Sequence, residues 1–170
     1  IPKNIDEYFT HLKKYHELDI NDKYNNPAWH IHNGKPPLIK HEITFNSLLN
    51  LVSVCNSNDK KVIWAFINEY DKSLNPLVNL ELDLLIQYAI NYFNDFVLPN
   101  KSYLKLDDSN ISIFVELRDL LKKIDPESTS EIIQTEIYEI GKKYQFDNLR
   151  DFFKLIYQVL LGQEQGPRLG

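Results

Sequence analysis

Between Leu82 and Val97, the residues Leu82, Leu85, Ile86, Ala89, Ile90, Phe93 and Val97 recur at i, i+3, i+4 and i+7, which lays one apolar stripe along one helix face. The same period runs through most of the chain. Ile5, Tyr8, Phe9, Leu12, Tyr15 and His16 predict a helix over roughly Ile5 to Glu17. Thr44 is a candidate N-cap for a helix carrying Phe45, Leu48, Leu49, Leu51, Val52 and Cys55. Ser57 or Asp59 would cap the next, with Val62, Ile63, Phe66, Ile67 and Tyr70 on one face. Pro99 should end the long helix that begins near Leu82. Asp107 or Asp108 opens a stripe of Ile111, Phe114, Val115, Leu117, Leu121 and Ile124, which Pro126 closes. Ser128 to Glu131 has capping-box spacing before Ile133, Ile137, Ile140 and Tyr144. A last helix should run from about Asn148 to Leu161, with Gly162 at C′. The segment from Asn26 to Pro37, with its prolines and Asn33-Gly34, reads as a structured loop. Nowhere does a period of two persist between hairpin turns. Six or seven helices on short connectors define an all-α bundle.

Composition bounds what such a bundle can do. At 170 residues and 43% hydrophobic, the chain can bury a core as one domain or two small ones. No apolar run reaches the roughly 18 residues that span a bilayer, and the first twenty residues are too polar for a signal peptide. The lone Cys55 has no partner for an internal disulfide, which fits a reducing cytosol. A net charge of -5 excludes polyanion binding by bulk charge, so any nucleic-acid contact needs a local basic patch. The chain opens on Ile1 and stops at Gly170, and we expect it to be a piece of a longer polypeptide.

Few residues have the pattern of a reaction centre. His30 and His32 could ligate a metal only with a further His, Cys or carboxylate, and none stands at recognisable spacing. The simpler expectation is that both rings pin the loop by hydrogen bonds. Cys55 lies on an apolar helix face, as a structural thiol does. Asp107-Asp108 and the Glu136/Glu139 pair are accounted for by capping and surface charge. No glycine-rich phosphate loop and no Gly-x-Ser-x-Gly occurs. Near the C-terminus, Arg150, Lys154 and Arg168 flank Phe152, Phe153 and Tyr157. Cations beside exposed rings can hold phosphates and stack unpaired bases. At helical spacing, Phe152, Phe153 and Ile156 are better read as core.

Four stretches carry a resemblance: Asn26 to Gly34 (NPAWHIHNG), Phe45 to Asn56 (FNSLLNLVSVCN), Tyr88 to Val97 (YAINYFNDFV) and Phe152 to Leu169 (FFKLIYQVLLGQEQGPRL). In these, and in their order, the chain resembles the C-terminal part of class I lysyl-tRNA synthetases. The Leu-Gly-x-x-x-Gly-Pro ending is also similar to that of glutamyl-tRNA synthetases. The resemblance implies a full-length enzyme that charges lysine tRNA with lysine, with ATP and Mg2+ bound in a catalytic domain outside this chain. That domain's His-x-Gly-His and Lys-x-Ser-Lys-Ser signatures are missing here, so the chain alone should be inactive and hold no cofactor. The resemblance further implies a helical connector touching the tRNA stem, mapped to residues 1–41, and an anticodon-reading helix cage, mapped to 42–170. Gln163, Gln165 and Arg168 would offer donors and acceptors to base edges, Tyr157 a ring, and Lys143, Arg150 and Lys154 charge for phosphates. Gly166-Pro167 would hold Arg168 in one orientation. A cytoplasmic monomer is expected. The competing expectation is a helical protein–protein interaction module with no RNA role. A third, a helical metalloenzyme around His30 and His32, lacks its ligands.

Overall fold

The computed structural model describes residues 2–144, 146, 148–167 and 169, with Ser109 described by its backbone alone. The described residues form eight α-helices and no strand, as the all-α reading requires. They fall into two compact units, 1–97 and 98–170. The division between connector and cage drawn at residue 41 lies inside the first unit.

The first unit holds α1 (Pro2–Glu17), α2 (Pro27–Ile31), α3 (Phe45–Cys55), α4 (Lys60–Tyr70) and α5 (Leu80–Tyr92). Its core joins Phe45, Leu48 and Val52 of α3 to Ile63 and Ile67 of α4 and to Leu82, Ile86 and Ile90 of α5. Ile5 and Phe9 of α1 pack against that core, while Leu12 and Tyr15 form a smaller cluster with Ala28. Thr44 caps α3 as expected, its side chain accepting from the Ser47 N–H. Asp6 of α1 adds a second cap, accepting from the N–H groups of Phe45 (2.7 Å) and Asn46 (3.2 Å). A carboxylate there also meets the positive end of the α3 dipole. Asp59, the second of the two candidates, caps α4.

Three expectations need correction in this unit. The segment after Asn26 is a short helix, because Asn26 accepts from the Ala28 N–H and Pro27 stands at the first turn, where a missing N–H does no harm. On α4 the buried face is Ile63, Trp64 and Ile67, whereas Val62, Phe66 and Tyr70 are exposed. The Trp64 indole, fixed by a bond to Asp83, turns the helix toward that side. The long helix is regular only to Tyr92 and then widens into a π-helical turn, Phe93–Val97, followed by the 3-10 turn Leu98–Asn100. Pro99 has no N–H for the carbonyl four residues back and its ring crowds that position, so the ladder is disturbed one turn ahead of it.

The second unit holds α6 (Asp108–Lys123), α7 (Ser130–Lys143) and α8 (Leu149–Leu160). Asp107, Thr129 and Asn148 cap them through their side chains. Thr129 is the α7 N-cap in place of Ser128, one residue later than the capping-box spacing suggests. The core gathers Ile113, Leu117, Ile137, Ile140, Phe152, Leu155 and Ile156. On α6 the stripe is rotated from the expected one: Ile113 and Leu117 are buried, and Ile111, Val115 and Leu121 are exposed. Apolar residues surround this helix on several sides, so contact with its neighbours, not its own period, selects the inner face. Gly162 follows α8 at φ +67°, the left-handed C′ position expected of it. Its carbonyl accepts from the Ser102 N–H at 2.8 Å, and the Gln158 carbonyl accepts from Leu104 at 3.1 Å, so the end of α8 is held by the segment leading to α6.

Candidate nucleic-acid interface

Close packing of α7 on α8 creates a surface that brings together two of the sequence-predicted residues, Arg150 and Tyr157. A Cβ on Gly141 would lie 2.7 Å from Phe152 Cδ1 and 2.9 Å from Leu149 Cδ2, so only glycine lets the helices approach this far. Beside this contact, the rings of Tyr138 and Phe153 meet edge to face with centroids 5.0 Å apart. Arg150, Phe153 and Tyr157 stand three and four residues apart along α8, on one ridge. Gln134 and Tyr138 stand four apart along α7. Together with Gly166 they line a shallow depression of about 370 Å³.

The loop after α8 closes one end of this depression. Tyr157 Oη donates to the Pro167 carbonyl at 2.5 Å. Gly166 lies so close over the Tyr157 ring that a Cβ would sit 2.6 Å from Cδ1. Burial pushes the Tyr157 phenol up, so it stays a neutral donor. The Gln163 N–H points back to the Tyr157 carbonyl at 3.4 Å, and Gln165 is exposed beyond it. Arg168 lies outside the described residues.

The cations differ in availability. Lys143 Nζ bonds both oxygens of Glu116, at 2.8 and 2.9 Å, and Tyr144 Oη joins them at 3.0 Å. The Glu116 hydrogen bond raises the Lys143 ammonium, and Lys143, then Tyr144, hold the Glu116 carboxyl below its usual range. Lys154 pairs with Glu164 at 2.8 Å. Arg150 is exposed, and among the described residues no acidic group pairs with its guanidinium. Its backbone N–H is used by the Asn148 cap, which fixes the start of the helix that carries it. The Gln134 amide, half-buried in the same depression, likewise has no partner among the described residues.

Three rings, a five-donor guanidinium and an amide with both donor and acceptor suit a flat heteroaromatic group and a nearby phosphate. Arg150 and Tyr157 were legible in the sequence as site residues; Gln134 and Tyr138 were not. The available signal was an aromatic on α7 that falls beside, not on, the Ile133, Ile137, Ile140 stripe.

The remaining candidates have structural roles. His30 Nε2 bonds the Tyr24 carbonyl at 2.8 Å and His32 Nε2 the Tyr8 hydroxyl at 2.7 Å, so each ring ties α2 to a neighbouring segment. Among the described residues no three of His, Cys, Asp and Glu group as metal ligands. Burial pushes the Cys55 thiol up, away from the thiolate a nucleophile needs. No helix among the described residues is long and apolar enough to cross a membrane.

No protein-family model matches the chain, and no solved structure matches it significantly. Curated relatives do. A lysine--tRNA ligase of Rickettsia peacockii (strain Rustic) is 48% identical over 172 residues, covering 100% of this chain and 33% of the relative. Those of Rickettsia bellii (strain OSU 85-389), at 48%, and Rickettsia felis (strain ATCC VR-1525 / URRWXCal2), at 47%, align over the same shares. The chain thus spans about a third of the length of the curated relatives it matches, and over its whole length it is similar to that third of proteins named lysine--tRNA ligase.

Proposed function

We propose that the chain is the tRNA-recognising C-terminal part of a class I lysine--tRNA ligase, and that the α7–α8 depression receives an unpaired base of the anticodon. The observation that carries this reading is the exposed Arg150, with no acidic partner among the described residues, beside Tyr138, Phe153 and Tyr157, on a chain similar from end to end to a third of proteins named lysine--tRNA ligase. An unstacked base would rest on the rings, with its pairing edge toward Gln134 or the loop residues Gln163 and Gln165. Arg150 would take a phosphate or a base edge. Lys154, on the same helix, would add charge for a phosphate, and Lys143, which pairs with Glu116 outside this depression, would do so elsewhere along the RNA, because surface ion pairs are worth about 0–1 kcal/mol and yield readily to a phosphate. Arg168, which lies outside the described residues, is proposed for the same ligand on its sequence position after Gly166-Pro167.

The whole enzyme would join lysine to its tRNA with ATP and Mg2+ in the cytoplasm, acting as a monomer. The chain lacks the His-x-Gly-His and Lys-x-Ser-Lys-Ser signatures and would make no lysyl-adenylate by itself. In this division of labour residues 1–41 would belong to the connector that touches the tRNA stem and 42–170 to the cage that reads the anticodon. A net charge of -5 means that recognition rests on local chemistry, with general phosphate attraction contributing little. Binding of the chain to lysine tRNA and to a non-cognate tRNA, each at two salt concentrations, tests the reading. Preference for lysine tRNA that persists as salt rises supports it; equal affinities that fall together with salt would reduce it to charge alone.

A further inference from the structure

In the first unit, α1, the segment 37–40 and α5 enclose a groove of about 400 Å³ lined mainly by apolar side chains, with Lys40 and Glu81 as its exposed charged members. Leu38 is 61% exposed, Val78 68%, Leu84 51% and Tyr88 51%. Leu77 and Leu80, at 87% and 68%, extend the same surface at the start of α5. These are large side chains, and Asn79 among them is buried and held by its bond to the Asn75 N–H at 3.0 Å. Isolated exposed leucines are ordinary, but a run of them around one groove marks a surface that another body covers.

The charge beside the groove argues against nucleic acid as that body. Lys40 and Glu81 both line it, so their charges offset and no positive field is left to draw phosphates. A helix groove rimmed by leucine and tyrosine suits protein instead. The relatives supply a protein of the right origin, since two-thirds of their length lies outside the segment similar to this chain. We infer that the groove between α1 and α5 seats a segment from that remaining two-thirds of the full-length ligase, making it an interdomain docking surface. The inference rests on the reading of the chain as one part of such a ligase, and not on any tRNA contact.

Hydroxyl-radical footprinting, without tRNA, of the 170-residue chain and of the full-length protein that carries it tests this. Oxidation of Leu38, Leu84 and Tyr88 is expected to fall several-fold in the full-length protein. Equal oxidation in both forms would overturn the inference. So would protection in the 170-residue chain that grows with its concentration, which would mean a second copy in the groove. Protection that appears only when tRNA is added would assign the groove to RNA and also overturn it. The double variant Leu84→Asp/Tyr88→Asp, at half-exposed positions, should leave the melting curve of the 170-residue chain in place while restoring oxidation at Leu38 in the full-length protein. Continued protection of Leu38 in a folded double variant would count against docking at this face. Because no tRNA is needed, failure here is distinct from failure of the anticodon reading, which the binding comparison above decides.

Discussion

Trp64 donates its indole Nε1–H to Asp83 Oδ1 at 2.9 Å, fastening α4 to the first turn of α5. Lys60 Nζ meets the other carboxylate oxygen at 2.5 Å. The Lys60 hydrogen bond, then that of Trp64, holds the Asp83 carboxyl below its usual range. Trp64 is 5% exposed, so removing its acceptor leaves a buried donor unmatched. Asp83→Ala should therefore destabilise the chain by about 1–3 kcal/mol, and Asp83→Asn by less because it keeps an acceptor. Urea denaturation of the two variants checks the order. Since the folded-state value is depressed, the contribution is complete above the unfolded carboxyl value and fades as pH falls through the folded one.

His41 gives a second pH dependence, nearer neutrality. The ring is 4% exposed and lies against Phe9, with centroids 6.4 Å apart. Burial lowers its proton affinity; Glu81 and Glu42 oppose that change and Lys13 adds to it. The unfolded chain therefore takes up this proton first as pH falls. Stability should be complete above the ordinary imidazole value of about 6.5 and decline below it, until the folded-state value is reached. The urea midpoint should drop between about pH 7.5 and about pH 5.5, and His41→Phe should flatten that slope. An equal slope in the variant would assign the dependence to other groups.

Gly141→Ala should destabilise the second unit. The added methyl would sit 2.7 Å from the fully buried Phe152 and 2.9 Å from Leu149. Overpacking of this kind costs about 1–3 kcal/mol, from which the better helix propensity of alanine returns up to about 1. A lower melting temperature with unchanged helical content is the expected result.

The helices were legible because their caps and periods are local. Thr44, Asp59, Asp107 and Gly162 act where the sequence places them. The inner faces of α4 and α6 were not, because each helix carries apolar residues on more than one side. On α4, the long-range Trp64–Asp83 bond identifies the buried side, and no period within the helix encodes a partner 19 residues away. Arg150 and Tyr157 were legible as a basic-aromatic pair on one helix. Gln134 and Tyr138 join them only through the α7–α8 contact that Gly141 permits, a property of two helices together. The ion pairs of Lys143 with Glu116 and Lys154 with Glu164 were equally hidden, the first spanning 27 residues.

If the chain is the tRNA-recognising part proposed above, the full-length protein carrying Arg150→Ala with Tyr138→Ala offers the most direct test of recognition through the α7–α8 face. Both side chains are at least partly exposed, so folding should be retained, which circular dichroism can verify. Charging efficiency is measured with lysine tRNA and with the same tRNA carrying a replaced anticodon. The parent enzyme should distinguish the two, and the double variant should lose about 1–3 kcal/mol of transfer efficiency on lysine tRNA, with its discrimination narrowed. A folded double variant that charges both tRNAs with the parent's efficiency and the parent's discrimination would contradict anticodon recognition at this site.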